Sequence, residues 1–184
     1  MKKIADNLNV PWGAVYYFMR RYNLKRRTFS EENKIRFLRK EPSFCIKQNL
    51  SNYEKRLKMI GVVLYWSEGS KGGQRQESVD FVNSDPAMMK VFINFLRNIC
   101  GINEKKLRVL LYCYANQDIN HLLTFWSKLT NIPKSQFSKP YVRKDFKEDK
   151  KDKMKYGLMH IRYHDKKLFL LIKDWIEELK IKYA

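Results

Sequence analysis

The chain is expected to be an α+β protein, with helices packed on one face of an antiparallel sheet and a small helical segment ahead of it. Three observations point there. From about residue 53 onward, strand-like alternation is interleaved with helical apolar spacing. Ahead of that, residues 2–22 carry apolar side chains at two short helical periods. A polar stretch, 28–52, separates the two, so the expected division is 1–52, helical segment plus connector, and 53–184, the core.

In KKIADNLNVPWGAVYYFMRRY, residues Ile4, Ala5, Leu8, Val10, Val15, Phe18 and Met19 suit two helices folded across a turn. Asn9 tolerates the left-handed conformation such a turn needs, and Pro11 is acceptable in a first helical turn. The pair looks like a helix-turn-helix. Its second helix presents Trp12, Tyr16 and Tyr17 near its start and Arg20 and Arg21 near its end. Arg26 and Arg27 follow in a basic run, which suits a recognition helix with phosphate anchors behind it. A plain helical hairpin with a solvated basic end accounts for the same residues. A further helix usually precedes such a pair and Met1 leaves no room for it, so the module is expected to be truncated or completed elsewhere in the protein.

A connector helix is expected from Ser30 to near Pro42, then a helix over 54–67 and a strand over 77–83 that alternates through Val79 and Phe81. Pro86 to Cys100 reads as a helix. The strand KLRVLLYCY, 106–114, turns Leu107, Val109, Leu111 and Cys113 to the core and Arg108, Tyr112 and Tyr114 to the other face. Asp118 caps a helix to Thr130, after which a loop or short strand carries Lys139, Tyr141 and Arg143. The charge run 144–155 reads as a solvated loop. A strand over 155–164 faces Met159 and Ile161 inward and His160, Arg162 and His164 outward, and an amphipathic helix closes the chain.

The formal net charge of +19 exceeds what solubility needs, so the expected partner is a polyanion, with duplex DNA ahead of RNA. A sheet face of Arg, Tyr, His and Lys needs water or counter-charge, and a nucleic-acid groove supplies the latter. No apolar run approaches the roughly 20 residues of a spanning helix, and no signal-peptide pattern opens the chain. An intracellular, cytoplasmic protein with neither membrane nor small-molecule partner is expected. Cys45, Cys100 and Cys113 form no C-x-x-C pair and read as reduced thiols.

The stretch GVVLYWSEG, 61–69, resembles the LAGLIDADG motif of homing endonucleases, with Glu68 at the final acidic position and Gly69 at the terminal glycine. The resemblance covers about 54–184. Val62 and Val63 stand where the motif has alanine and glycine, and Trp66 stands where it has its first acid. Leu57, Gly61, Leu64 and Glu68 form one helical stripe ending at the carboxylate. In the family such a stripe joins two motif copies. A single copy therefore implies a homodimer through Leu57, Gly61 and Leu64, with Glu68 holding Mg2+ or another divalent cation beside double-stranded DNA. Lys71, Gln74 or Arg75 would orient water or offset charge, Lys71 first. The resemblance implies metal-dependent cleavage of a specific duplex; the alternative is a non-catalytic DNA-binding regulator on the same fold.

Overall fold

A computed structural model describes residues 1–73, 77–143 and 154–183. They belong to two compact units, Met1–Glu41 and Pro42–Ala184, so the boundary falls eleven residues earlier than its expected place before residue 53. The polar stretch 42–51 belongs to the second unit because its backbone is paired there. Cys45 N–H donates to Gly101 C=O at 3.0 Å, Lys47 N–H to Ile99 C=O at 2.9 Å, and Asn103 N–H to Ser43 C=O at 3.2 Å. Ser43 also donates from N–H and Oγ to Asp165 Oδ2, at 2.8 and 2.6 Å.

The first unit contains α1 (Lys2–Leu8), α2 (Trp12–Arg21) and α3 (Phe29–Arg39). Asn9 adopts the left-handed conformation, φ 52 and ψ 43, that folds α2 back from α1. Thr28 and Glu31 form a reciprocal capping box that starts α3. Among the apolar side chains of this unit only Ala5 and Val15 are buried.

The second unit runs α4 (Asn52–Glu68), β1 (Val79–Asn83), α5 (Pro86–Asn98), β2 (Leu107–Tyr114), α6 (Ile119–Thr130), β3 (Tyr141–Arg143), β4 (Leu158–Tyr163) and α7 (Lys166–Tyr183). Local chemistry fixes the helix starts. Ser51 and Glu54 form a capping box on α4, Asp85 accepts from Ala87 and Met88 N–H ahead of Pro86, and Asp118 accepts from His121 N–H. Most of the expected charge run, 144–153, lies outside the described residues.

The sheet order is β1-β4-β2-β3. β4 is antiparallel to both β1 and β2, but β2 and β3 are parallel. The sheet is therefore mixed, a correction to the antiparallel expectation. The reason is topological: α6 carries the chain back across the core, so the three-residue β3 re-enters in the direction of β2. Val79, Phe81, Leu107, Val109, Leu111, Met159, Ile161 and Tyr163 share one face, where they join buried residues of α4, α5, α6 and α7 in a single core. No helix among the described residues is long and apolar enough to cross a membrane.

The stripe expected to join two chains packs inside one. Leu57 and Gly61 are buried and Leu64 lies half-buried against the same core. A Cβ built on Gly61 would stand 2.2 Å from Phe95 Cγ, so the glycine lets α4 approach α5 closely within the chain. The apolar residues that α4 leaves exposed include Met59, Ile60, Val63 and Trp66, between 43 and 49 % exposed, with Lys180 Nζ 5.5 Å over the Trp66 ring.

Candidate nucleic-acid interface

The site starts at the C-terminus of α4. Tyr65 packs its ring 5.9 Å from Phe92 and donates its hydroxyl to Ser70 C=O at 3.1 Å. Gly69 fits under that ring: a Cβ there would lie 2.4 Å from Tyr65 O and 2.5 Å from Tyr65 Cδ2. Gly69 then bridges to Phe81, and Ser70 N–H donates to Asp80 C=O at 2.8 Å. The turn after Glu68 is thus fastened to β1, and burial pushes the Tyr65 phenol well above its ordinary value. Glu68 itself is exposed and makes no hydrogen bond or ion pair among the described residues. Lys71 is exposed three residues on. Gln74 and Arg75 lie outside the described residues.

The sheet face turned away from the helices is ordered in rows by the cross-strand register. Asp80, Arg162 and Arg108 align in one row, Val82, His160 and Leu110 in the next, and Leu158, Tyr112 and Tyr141 in the third. The expected outward phase of Arg108, Tyr112, His160 and Arg162 holds, but the face is not purely cationic. Asp80, only 4 % exposed, accepts from Arg162 Nε at 2.8 Å on Oδ2, while its Oδ1 lies 3.1 Å from His160 Nδ1. Burial alone would raise the Asp80 carboxyl, yet the hydrogen bonds and charges of His160 and Arg162 outweigh it and hold it below the usual aspartate value. An ionised Asp80 accepts only, so His160 Nδ1 donates to it, and the buried His160 Nε2 has no hydrogen-bond partner among the described residues.

Aromatic and cationic groups border this cluster. Tyr112 lies between Tyr141, at 4.9 Å, and His160, at 4.7 Å, ring to ring. The Arg143 guanidinium stands 6.0 Å over the Tyr114 ring. Arg108 Nη1 is held by the carbonyls of Lys105 and Leu107, at 2.8 and 2.7 Å. Lys139 and His164 are exposed just outside β3 and β4. Six sequence-derived side chains, Arg108, Tyr112, Tyr141, Arg143, His160 and Arg162, therefore share one sheet face. Sequence reasoning missed Asp80, whose signal was its outward phase between Val79 and Phe81.

In the N-terminal unit Trp12 and Tyr16 are exposed and stacked, with centroids 5.6 Å apart and planes 9° off parallel. Tyr17 is exposed, and Arg20 and Arg21 occupy the last turn of α2, favourable for a helix C-terminus. Arg26 and Arg27 are exposed in the segment leading to α3.

Among the described residues no three His, Cys, Asp or Glu side chains stand together as a metal-holding group. No family model matches the chain, and neither does any curated protein or solved structure.

Proposed function

We propose that the chain is a sequence-specific double-stranded DNA endonuclease of the homing type, with a core resembling the LAGLIDADG fold and metal-dependent phosphodiester hydrolysis. The observation that carries this reading is the placement of Glu68. It is a solvent-facing carboxylate without a partner among the described residues, on a helix end fastened by Gly69 and Ser70 to a sheet whose outer face presents Arg108, Arg162, Tyr112 and Tyr141. In so basic a chain, an acid left unpaired beside such a face suits a cation shared with phosphate.

The donor chemistry fits a hard divalent ion of the magnesium type in part. Glu68 offers carboxylate oxygens, and the last carbonyls of α4 carry partial negative charge. A second copy's glutamate and a DNA phosphate would complete the set. When bound, the ion lowers the pKa of a water and offsets phosphoryl charge. Lys71 would stabilise charge developing on the phosphate. Tyr65 and Gly69 hold the carboxylate at the sheet edge, and the sheet face and α2 position the duplex.

The homodimer stays in this proposal with a different surface. Leu57, Gly61 and Leu64 are occupied by the chain's own core, so Met59, Ile60, Val63 and Trp66 are assigned to the second copy. They lead along α4 toward Glu68.

One observation favours a non-catalytic DNA-binding regulator as the second reading. Glu68 is the only carboxylate the helix end offers, with Trp66 in place of a second acid. Supercoiled plasmid incubated with the full chain and Mg2+ separates the two. Endonuclease activity predicts nicking that is lost in Glu68→Ala while duplex binding persists. Tight duplex binding with no nicking in either protein leaves the regulator.

A further inference from the structure

We propose that the N-terminal unit holds a phosphodiester backbone in a cationic groove between α1 and α3. This rests on the nucleic-acid partner proposed above and is independent of cleavage. The apolar residues that line the groove are Met1, Ile4, Met19 and Ile35. Lys2 and Lys3 form one wall, and Arg36, Arg39 and Lys40 the other. The basic segment Lys25 to Arg27 also lines it. Met19 is the sole α2 residue lining it, so the aromatic and arginine side chains of α2 remain outside.

The α3 wall is a single helical stripe. Glu32, Ile35, Arg36 and Arg39 recur at spacings of three and four, which brings their side chains over one face. Glu32 is the one acid among the eight cationic side chains of the lining, and it stands 3.7 Å from Arg36 with both side chains mostly exposed. Such a contact neutralises little. The facing walls therefore repel.

Packing offers little to resist that repulsion. α3 buries no residue, and the unit's buried apolar side chains are Ala5 and Val15 alone. A ligand with regularly spaced negative charges would hold both walls at once, and the guanidinium fork matches phosphate oxygens in pairs. Both units of the chain carry more cations than acids, which suits one long polyanion better than a short acidic peptide confined to this groove.

The test uses the full chain and a duplex oligonucleotide, with affinity followed over a salt series. Arg36→Gln with Arg39→Gln removes charge from one wall, and Lys2→Gln with Lys3→Gln from the other. Lys34→Gln, on α3 but outside the groove lining, is the control. Each wall variant should make the log K against log salt slope shallower by roughly 1 to 2, at about 0.9 per lost phosphate contact, and Lys34→Gln should leave it unchanged. Duplex should also slow amide exchange in α1 and α3 of the wild type but not of the wall variants. Far-UV circular dichroism confirms folding, and the two walls serve as checks on each other. Duplex binding with an unchanged slope in both wall variants and no protection of α3 overturns the groove while sparing the nucleic-acid partner. Polyglutamate protecting α1 and α3 as well as duplex does overturns the phosphodiester assignment in favour of an acidic peptide. No duplex binding by the wild type removes the proposed function itself.

Discussion

Replacing Gly61 by alanine sets two opposing effects against each other, and the structure sizes both. On an open helix face the change is favourable by about 0.8–1.0 kcal/mol, because glycine loses more backbone entropy on folding. Here the added Cβ would stand 2.2 Å from Phe95 Cγ, 2.5 Å from Cδ2 and 2.7 Å from Cβ. Carbon atoms in ordinary contact are about 3.5–4.0 Å apart. Phe95 has no room to swing: it is fully buried, with Phe92 at 5.7 Å and Trp175 at 6.3 Å, ring to ring. α4 and α5 must then separate, and overpacking of this kind costs about 1–3 kcal/mol, occasionally more. Net of helix propensity, the variant should lose up to about 2 kcal/mol, lowering Tm by up to about 6 °C for a unit of this size. Thermal unfolding at two widely separated protein concentrations reads this directly. A variant stabilised by the propensity gain would refute the close α4–α5 approach. A Tm loss confined to the concentration at which the wild type is dimeric would return Gly61 to an interface between chains.

Gly69→Ala should also destabilise by about 1–3 kcal/mol through the Tyr65 ring and carbonyl, and should diminish nicking although Glu68 is retained; wild-type Tm together with wild-type nicking would show that the turn is not held as described. Asp80→Asn removes one partner of a buried pair, a loss of about 3–5 kcal/mol in general, here placed at the lower end because Arg162 is partly solvated. Because the folded Asp80 pKa is depressed, its stabilisation is present above the unfolded value of about 3.9 and disappears as pH falls through the folded one. The gap in urea midpoint between wild type and Asp80→Asn should therefore narrow from about pH 6 down to about pH 3, and a gap that stays constant contradicts an ionised, paired Asp80.

Much of the second unit was legible in the sequence because its elements announce themselves locally. Pro86 behind Asp85, the Asp118 cap, and the alternation of Leu107, Val109, Leu111 and Cys113 all predict what is observed. The candidate site was legible only in part. Periodicity shows that a face of α4 is buried but not against what, and from Met59 to Trp66 this helix is apolar all round, so Leu57, Gly61 and Leu64 were expected to meet another chain. Asp80 has a readable phase on β1, but its pairing with His160 and Arg162 depends on a register between residues 80 positions apart, which no local pattern encodes. β3 is too short to alternate. The polar look of 42–51 conceals main-chain bonds to 99–103 that side-chain composition cannot register.

The strand order has a geometric corollary. β1, which the turn after Glu68 joins, lies at one border of the sheet, and β3, with Tyr141 and Arg143, lies at the other. At the usual spacing of about 4.8 Å between neighbours, those borders are about 14 Å apart, close to the roughly 12 Å width of a B-form major groove. A rod-like ligand touching both margins has to traverse every strand between them, so His160 and Arg162 on β4 would lie beneath it, inside the β1 border that carries Asp80.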